Sequence, residues 1–267
     1  MLDRLLADDV VDFLELAQAE GWLCGRWEFD FLLRSFPHGC LTYMEDGYTL
    51  GYITSIAYRN SGWIGNLLVR PEARKRGIGR RLMEGAIAAL NDSGVETIWL
   101  TASAQGAGLY RQLGFKEIDR INRWIGAGAA AEPAPPVAKA AATHLMDHDL
   151  AGWGDRRDAL LRLSAGRGWS FGDSRGAICC QRWEGGLQIG PWGGSDAAAA
   201  AACFDHALRS AGANVFLDVP AKNAAASAIL TERGFRIKGD TLLMYHGADP
   251  FYQPGRIYAL ASMGSMG

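Results

Sequence analysis

The sequence predicts an α/β fold with a mixed sheet, built twice in tandem. Three observations carry this reading. Short apolar runs alternate with segments of helical periodicity. The order strand, helix, strand, helix, Gly-Phe occurs twice, closing on Gly114-Phe115 and again on Gly234-Phe235. Between the copies lies GAGAAAEPAPPVAKAAA, from Gly126 to Ala142, with Pro133, Pro135 and Pro136 and no aromatic residue. Pro-Ala composition reads as a semi-rigid spacer rather than an Ala-rich helix. The predicted division is 1–125, a spacer over 126–142, and 143–267.

The elements of the first copy follow in order. Val10, Phe13, Leu14 and Ala17 make a helical apolar stripe that Gly21 ends. A second, shorter helix is expected over Trp27–Ser35. Three strands follow, at Gly39–Met44, Thr49–Tyr58 and Trp63–Val69, the first two joined by the turn signal Glu45-Asp46-Gly47. Arg76–Leu90 is a long helix with Ile78, Leu82, Ala86 and Ala89 on one face. Glu96–Leu100 is a strand, Gly106–Leu113 a helix, and Phe115–Trp124 the last strand. The second copy offers a strand at Gly185–Pro191 and a helix at Ser195–Ala211, with Ser195 as the expected N-cap. It continues with a strand at Asn214–Val219 and a helix at Lys222–Arg233.

Composition excludes several classes. The chain has 267 residues, 49% hydrophobic and 21% charged, which is ordinary for a globular protein and not for a disordered one. A net charge of −2 argues against a generally basic nucleic-acid binder. Glycine, with 34 residues, is enriched to roughly twice the usual ~7%. The five cysteines form no CxxC or Cys/His ladder, so neither a disulfide framework nor a zinc site is expected, and a reducing cytoplasm is the simplest compartment. His144 and His148 have metal-compatible spacing without a third ligand. No secretory leader and no membrane-spanning run are read.

The stretch that carries chemistry is Leu67 to Leu82, LLVRPEARKRGIGRRL. A strand ends at Val69, and a basic, glycine-containing loop then runs into a helix. Six of the 27 basic residues fall in positions 70–81. Unpaired N–H groups and the helix dipole make such a start an anion cradle. Gly77 and Gly79 permit close approach of a diphosphate, and the arginines add charge-assisted bonds. The P-loop pattern GxxxxGK[ST] is absent, and Leu82 stands where a GxGxxG fingerprint needs its third glycine. A solvated basic face or a nucleic-acid contact through Arg70–Arg81 is the weaker reading, since the rest of the chain lacks supporting charge.

This motif resembles the signature of the Gcn5-related N-acetyltransferases, the GNAT family, [Q/R]-x-x-G-x-[G/A], here Arg74-Lys75-Arg76-Gly77-Ile78-Gly79. Downstream, TASAQGAGLYRQLGF, Thr101 to Phe115, resembles the family's second motif. The likeness covers nearly the whole first copy, whereas the C-terminal copy resembles a degenerate version of it. It implies two tandem acyl-CoA N-acyltransferase folds and acetyl-CoA as co-substrate, with no metal. The backbone of Leu67, Leu68 and Val69 would pair with the pantetheine arm. Arg74, Lys75, Arg76, Gly77, Ile78, Gly79 and Arg80 would hold the diphosphate. Ser103 stands where many members have a cofactor-contacting Asn. Tyr110 would protonate the departing thiolate, unless it merely packs beside Leu113 and Phe115. Glu28, Asp30 and Tyr58 would border the acceptor site as weak candidates for the base, with a water chain as plausible.

In the second copy Leu230 matches Tyr110 and Asn223 matches Ser103, but no basic RxxGxG follows Pro191. Asp196 would set a negative charge where a diphosphate belongs. That copy is expected to buttress the first, while Asn223 is a mild signal the other way. Trp169, Phe171, Trp183 and Trp192 would line a pocket wall or fill its own core. The implied activity is acetyl transfer to an amine by direct attack in a ternary complex. A non-catalytic acyl-CoA-binding or sensor protein is the alternative. A small-molecule amine is the expected acceptor, with no nucleic-acid or membrane partner, and the protein is expected to be a monomer or homodimer.

Overall fold

The computed structural model describes residues 1–129, 139–183, 186–212 and 214–267. Its contacts define two compact units: residues 1–100 with 246–248 and 266, and residues 101–245 with 249–265 and 267. Each unit thus includes chain from both sequence copies.

Unit 1 runs β1 (Leu2–Arg4), α1 (Asp9–Ala19), α2 (Arg26–Ser35), β2 (Leu41–Glu45), β3 (Tyr48–Ala57), β4 (Ser61–Val69), α3 (Ile78–Asp92) and β5 (Thr97–Ala102, whose last two residues count with unit 2). The strands lie in that order, antiparallel up to β4, with β5 parallel to β4. Asp46 and Gly47 turn the β2–β3 hairpin with φ of 50° and 81°, the left-handed pair that matches strand twist. Phe13 of α1, Phe29 of α2 and Tyr52 of β3 meet in one aromatic cluster, with centroids 4.6 Å and 5.6 Å from Phe13. Helix α3 buries Ile78, Leu82, Met83, Ala86 and Leu90. Gly51 on β3 lets it come close, since a Cβ there would sit 3.0 Å from Leu82. The end of the later strand β11 (Arg236–Gly247) also belongs to this unit. Ala248 N–H donates to the Glu96 carbonyl at 2.9 Å, and Thr97 Oγ1 donates to the Ala248 carbonyl at 3.0 Å.

Unit 2 holds α4 (Ala107–Gln112), β6 (Lys116–Gly126), α5 (Lys139–Trp153), α6 (Asp158–Gly166), β7 (Gly168–Gly172) and β8 (Gly176–Trp183). It continues with β9 (Gly186–Gly194), α7 (Ala197–Arg209), β10 (Val215–Pro220), α8 (Ala224–Glu232), most of β11, and β12 (Ile257–Ala259). Its strand order is β11-β6-β10-β9-β8-β7, with β12 on β9. Strand β6 comes from the first sequence copy, yet it pairs antiparallel with both β10 and β11. Arg123 on β6 clasps Asp218 on β10 through Nε and Nη2 at 2.7 Å and 2.6 Å.

Several sequence expectations need adjusting. The long helix begins at Ile78, not Arg76, because Lys75 and Gly77 take φ of 63° and 79°. Asp196, not Ser195, caps α7, accepting from the N–H groups of Ala198 and Ala199 at 2.8 Å and 3.1 Å. A carboxylate at that position answers the helix dipole more strongly than a hydroxyl. The spacer reading over 126–142 falls largely on residues 130–138, outside the described residues, as does Gly185. At its far end Lys139 already opens α5. Trp169 and Trp192 are core, not wall: Trp192 stacks on Phe204 at 4.8 Å and 15°. Phe171 packs against that core, and Trp183 meets Phe216 edge-on at 6.1 Å.

Candidate active site

Strand β4 pairs with two neighbours at its start and with one at its end. Its parallel pairing with β5 runs Ser61–Thr97, Gly62–Ile98 and Trp63–Trp99. Among the described residues no strand pairs with it on that side beyond Trp63. Its other edge stays on β3 as far as Gly51–Val69. The parting coincides with a register shift, Thr54 opposite Gly65 and Tyr52 opposite Leu68, which places two β4 residues against one on β3. Asn66 is the turning point, with φ of 54°, and its Nδ2 donates to Thr54 Oγ1 at 3.1 Å. A bulge bends and twists its strand, so β4 turns away from β5 and leaves Leu67, Leu68 and Val69 with no strand pairing on one side, the Val69 carbonyl itself accepting from Arg74 Nε.

The chain then passes through Arg70 and a short 3-10 turn, Pro71–Ala73, into the loop ahead of α3. Lys75 and Gly77 flank Arg76 with positive φ. Backbone N–H groups in such alternating conformations converge on a common point, a concavity suited to an anion. Gly77 is the N-cap and offers no side-chain cap. The first helical bond is Arg81 N–H to the Gly77 carbonyl at 3.2 Å. The N–H groups over 77–80 therefore stand at the positive end of a 15-residue helix.

The side chains around the loop are held by carboxylates. Asp12 on α1 accepts from Arg70 and from the Tyr52 hydroxyl. Burial, then the Asp12 carboxylate, raises the Tyr52 phenol well above its usual range. Arg74 pairs with Glu20, and its Nε donates to the Val69 carbonyl at 3.0 Å. Arg76 pairs with Glu45, while Arg80 is 4.0 Å from Glu84. Glu84 lies one turn from Arg80 on the same helix, but Asp12, Glu20 and Glu45 were not legible as partners, because each is distant in sequence from its arginine. The convergent part of the cradle is thus backbone, with the arginines braced around it.

The other predicted residues belong to unit 2. Ser103 Oγ accepts from Gly106 N–H at 3.2 Å in the turn ahead of α4, whose N-cap is Gly106. Tyr110 lies on α4, half-buried, with its ring 6.1 Å from Phe115. Burial alone pushes its phenol up to about 12, so it holds its proton across the neutral range. Of the base candidates, Glu28 is buried and accepts from Gly25 N–H at 3.0 Å as the cap of α2. Asp30 is exposed near Arg26. The Tyr58 hydroxyl donates to the Met266 carbonyl at 2.5 Å. Among the described residues no three His, Cys, Asp or Glu side chains converge as a metal site.

A bulged strand parting from its parallel neighbour and leading into a helix start without a side-chain cap makes an α/β site suited to an extended ligand that carries an anionic group. The family comparisons agree in both halves. Residues 3–115 match the model of the acetyltransferase (GNAT) family, and residues 146–259 match a second acetyltransferase (GNAT) domain. The chain belongs to the GNAT acetyltransferase family and carries two GNAT domains in tandem. An uncharacterised N-acetyltransferase of Methanocaldococcus jannaschii is 28% identical over 140 residues, 44% of this chain and 61% of that protein. The ribosomal protein bS18-alanine N-acetyltransferase of Salmonella typhimurium is 44% identical over 55 residues, 20% of this chain and 37% of that protein. The chain thus spans less than two thirds of these curated relatives. A solved structure from Pyrococcus horikoshii shares the fold along nearly the whole chain, with a TM-score of 0.85, 20% identity, and 99% and 95% of the two chains covered. A GCN5-related N-acetyltransferase from Sphaerobacter thermophilus follows it with a TM-score of 0.63 and 16% identity, covering 97% and 98%.

Proposed function

We propose that the protein transfers the acetyl group of acetyl-CoA to a small-molecule amine. The observation that carries this is the Leu67–Val69 stretch of β4, unpaired by any strand on the β5 side among the described residues, running straight into the start of α3, which no side chain caps. A pantetheine arm, which offers amide groups along its length, complements the first. A diphosphate complements the second.

In the proposed reaction the neutral amine attacks the thioester carbonyl directly. The C–N bond forms, the C–S bond breaks from the tetrahedral adduct, and the amine's extra proton passes to water. Tyr110 donates its phenolic proton to the leaving thiolate. Burial keeps that phenol protonated across the neutral range, the state a proton donor needs, and the phenolate left after the transfer regains its proton from water. Arg74, Lys75, Arg76 and Arg80 supply the positive surround, and Ser103 takes the place of the family's cofactor-contacting Asn.

The test is thiol release from acetyl-CoA with a panel of amines. Amine-dependent CoA formation with matching acetylated product is expected. Tight acetyl-CoA binding without transfer to any amine would replace this reading with that of an acyl-CoA sensor.

A further inference from the structure

The second repeat contains the same parting of strands as the first, and there the gap is filled. Strands β9 and β10 pair in parallel only at Leu187–Val215 and Gln188–Phe216. Beyond that, β12 lies along β9, with Ile257 opposite Gly193 and Ala259 opposite Trp192. One residue further, Leu260 N–H donates to the Asp218 carbonyl on β10 at 2.9 Å. A single short stretch of the chain therefore bonds to both arms of the gap.

The seat is built for a peptide backbone. Gln181 Nε2 donates to the Ala261 carbonyl at 2.8 Å, and Gln188 Nε2 to the same oxygen at 3.2 Å; both side chains are fully buried. Gly190 allows the approach, since a Cβ there would meet the Leu260 carbonyl at 1.9 Å. Asn223, matched by position to Ser103, has two jobs. Its Oδ1 caps α8 by accepting from Ala226 N–H at 2.9 Å, and its Nδ2 donates to the Ile257 carbonyl at 2.9 Å. Just past that same end of β9, the Asp196 carboxylate caps the start of α7. Each feature that the first repeat leaves open is satisfied here from within.

We propose that the second repeat is an intramolecular peptide-binding cleft whose occupant is the chain's own segment 257–262, so that each chain binds one acyl-CoA rather than two. This rests on the acetyl-CoA reading of the first repeat and deepens it. Asn223 is a positioning residue for the segment, not a residual cofactor ligand. An unpaired strand edge in an apolar interior is costly. A repeat that has lost its diphosphate cradle gains by closing that edge with its own chain.

The experiment is CoA titration calorimetry on the full chain, together with hydrogen–deuterium exchange with and without CoA. The expected result is one CoA per chain, with amides over 257–262 exchanging as slowly as those of β9 and unchanged by CoA. Two CoA per chain, rapid exchange over 257–262 without ligand, or release of that segment by CoA would each overturn the proposal. No CoA bound, with the segment still protected, would overturn the acetyl-CoA reading while supporting the seat. Asn223→Ser keeps a cap for α8 and removes the amide donor. It should speed exchange over 257–262 by about tenfold, as loss of one buried hydrogen bond implies. An unchanged rate would remove Asn223 from the argument.

Discussion

Gly77 is the residue on which the cradle turns, and its replacement by alanine separates a turn from a binding site. Its φ of 79° lies in the left-handed region, which costs an L-residue about 1–2 kcal/mol. A Cβ at this position would meet no protein atom within 4 Å, so the strain is the whole cost to the free protein. For a chain of this size that corresponds to a fall of roughly 2–6 °C in Tm. Gly94 supplies a matched control at the far end of α3, with φ of 78° and equally open surroundings. Both alanine variants should lose similar Tm in a thermal melt. Only Gly77→Ala should also lose CoA affinity, by more than about tenfold (~1.4 kcal/mol), as the loop relaxes and its N–H groups diverge. Equal Tm losses with CoA affinity intact in both variants would refute the cradle.

Four further outcomes are expected. Tyr110→Phe should lower kcat by about 100-fold or more while leaving CoA affinity within about twofold; an unaltered kcat excludes the proton donor. Because burial holds that phenol up to about 12 rather than near 10, the pH profile should show no loss of rate from its deprotonation below pH 10. A falling limb at pH 8–9 that Tyr110→Phe abolishes would contradict this. Arg157 and Asp149 form a buried two-pronged pair with bonds of 2.6 Å and 3.0 Å, so Arg157→Ala should cost about 3–5 kcal/mol in a denaturant melt by stranding a buried carboxylate; a cost below about 1 kcal/mol would show that water reaches it. Finally, the native chain at pH 8 should expose only Cys24 and, slowly, Cys203 to an aromatic disulfide reagent. Cys40, Cys179 and Cys180 are buried with their thiols raised well above the usual range. Fast labelling of all five without denaturant would disprove that packing.

Much of the site could be read from residue order alone. Arg74 to Gly79 announces a helix start made for an anion, because glycine frees the backbone and the helix itself supplies the field. The tandem repeat was legible because Gly-Phe recurs after equivalent spacings. The bulge at Asn66 was not: an asparagine inside an apolar run gives only a weak hint of left-handed backbone, and the shift emerges only when β3 supplies the register. Likewise Asp12, Glu20 and Glu45 stand 58, 54 and 31 residues from the arginines they hold, and nothing local pairs them.

Asn223 draws the line between the two kinds of information. Its matching to Ser103 comes from position, and position alone suggested a retained cofactor contact. Tertiary structure gave the amide another partner, the Ile257 carbonyl, because a segment 34 residues later folds back into the gap between β9 and β10. The sequence by itself determined the α/β repeat, the placement of glycine and basic charge at the start of α3, and the absence of that basic charge ahead of α7, since these depend on local backbone and charge. Which strand edges stay open, and which the chain closes on itself, was decided by tertiary structure, because an edge is open or paired only once every other segment has found its place.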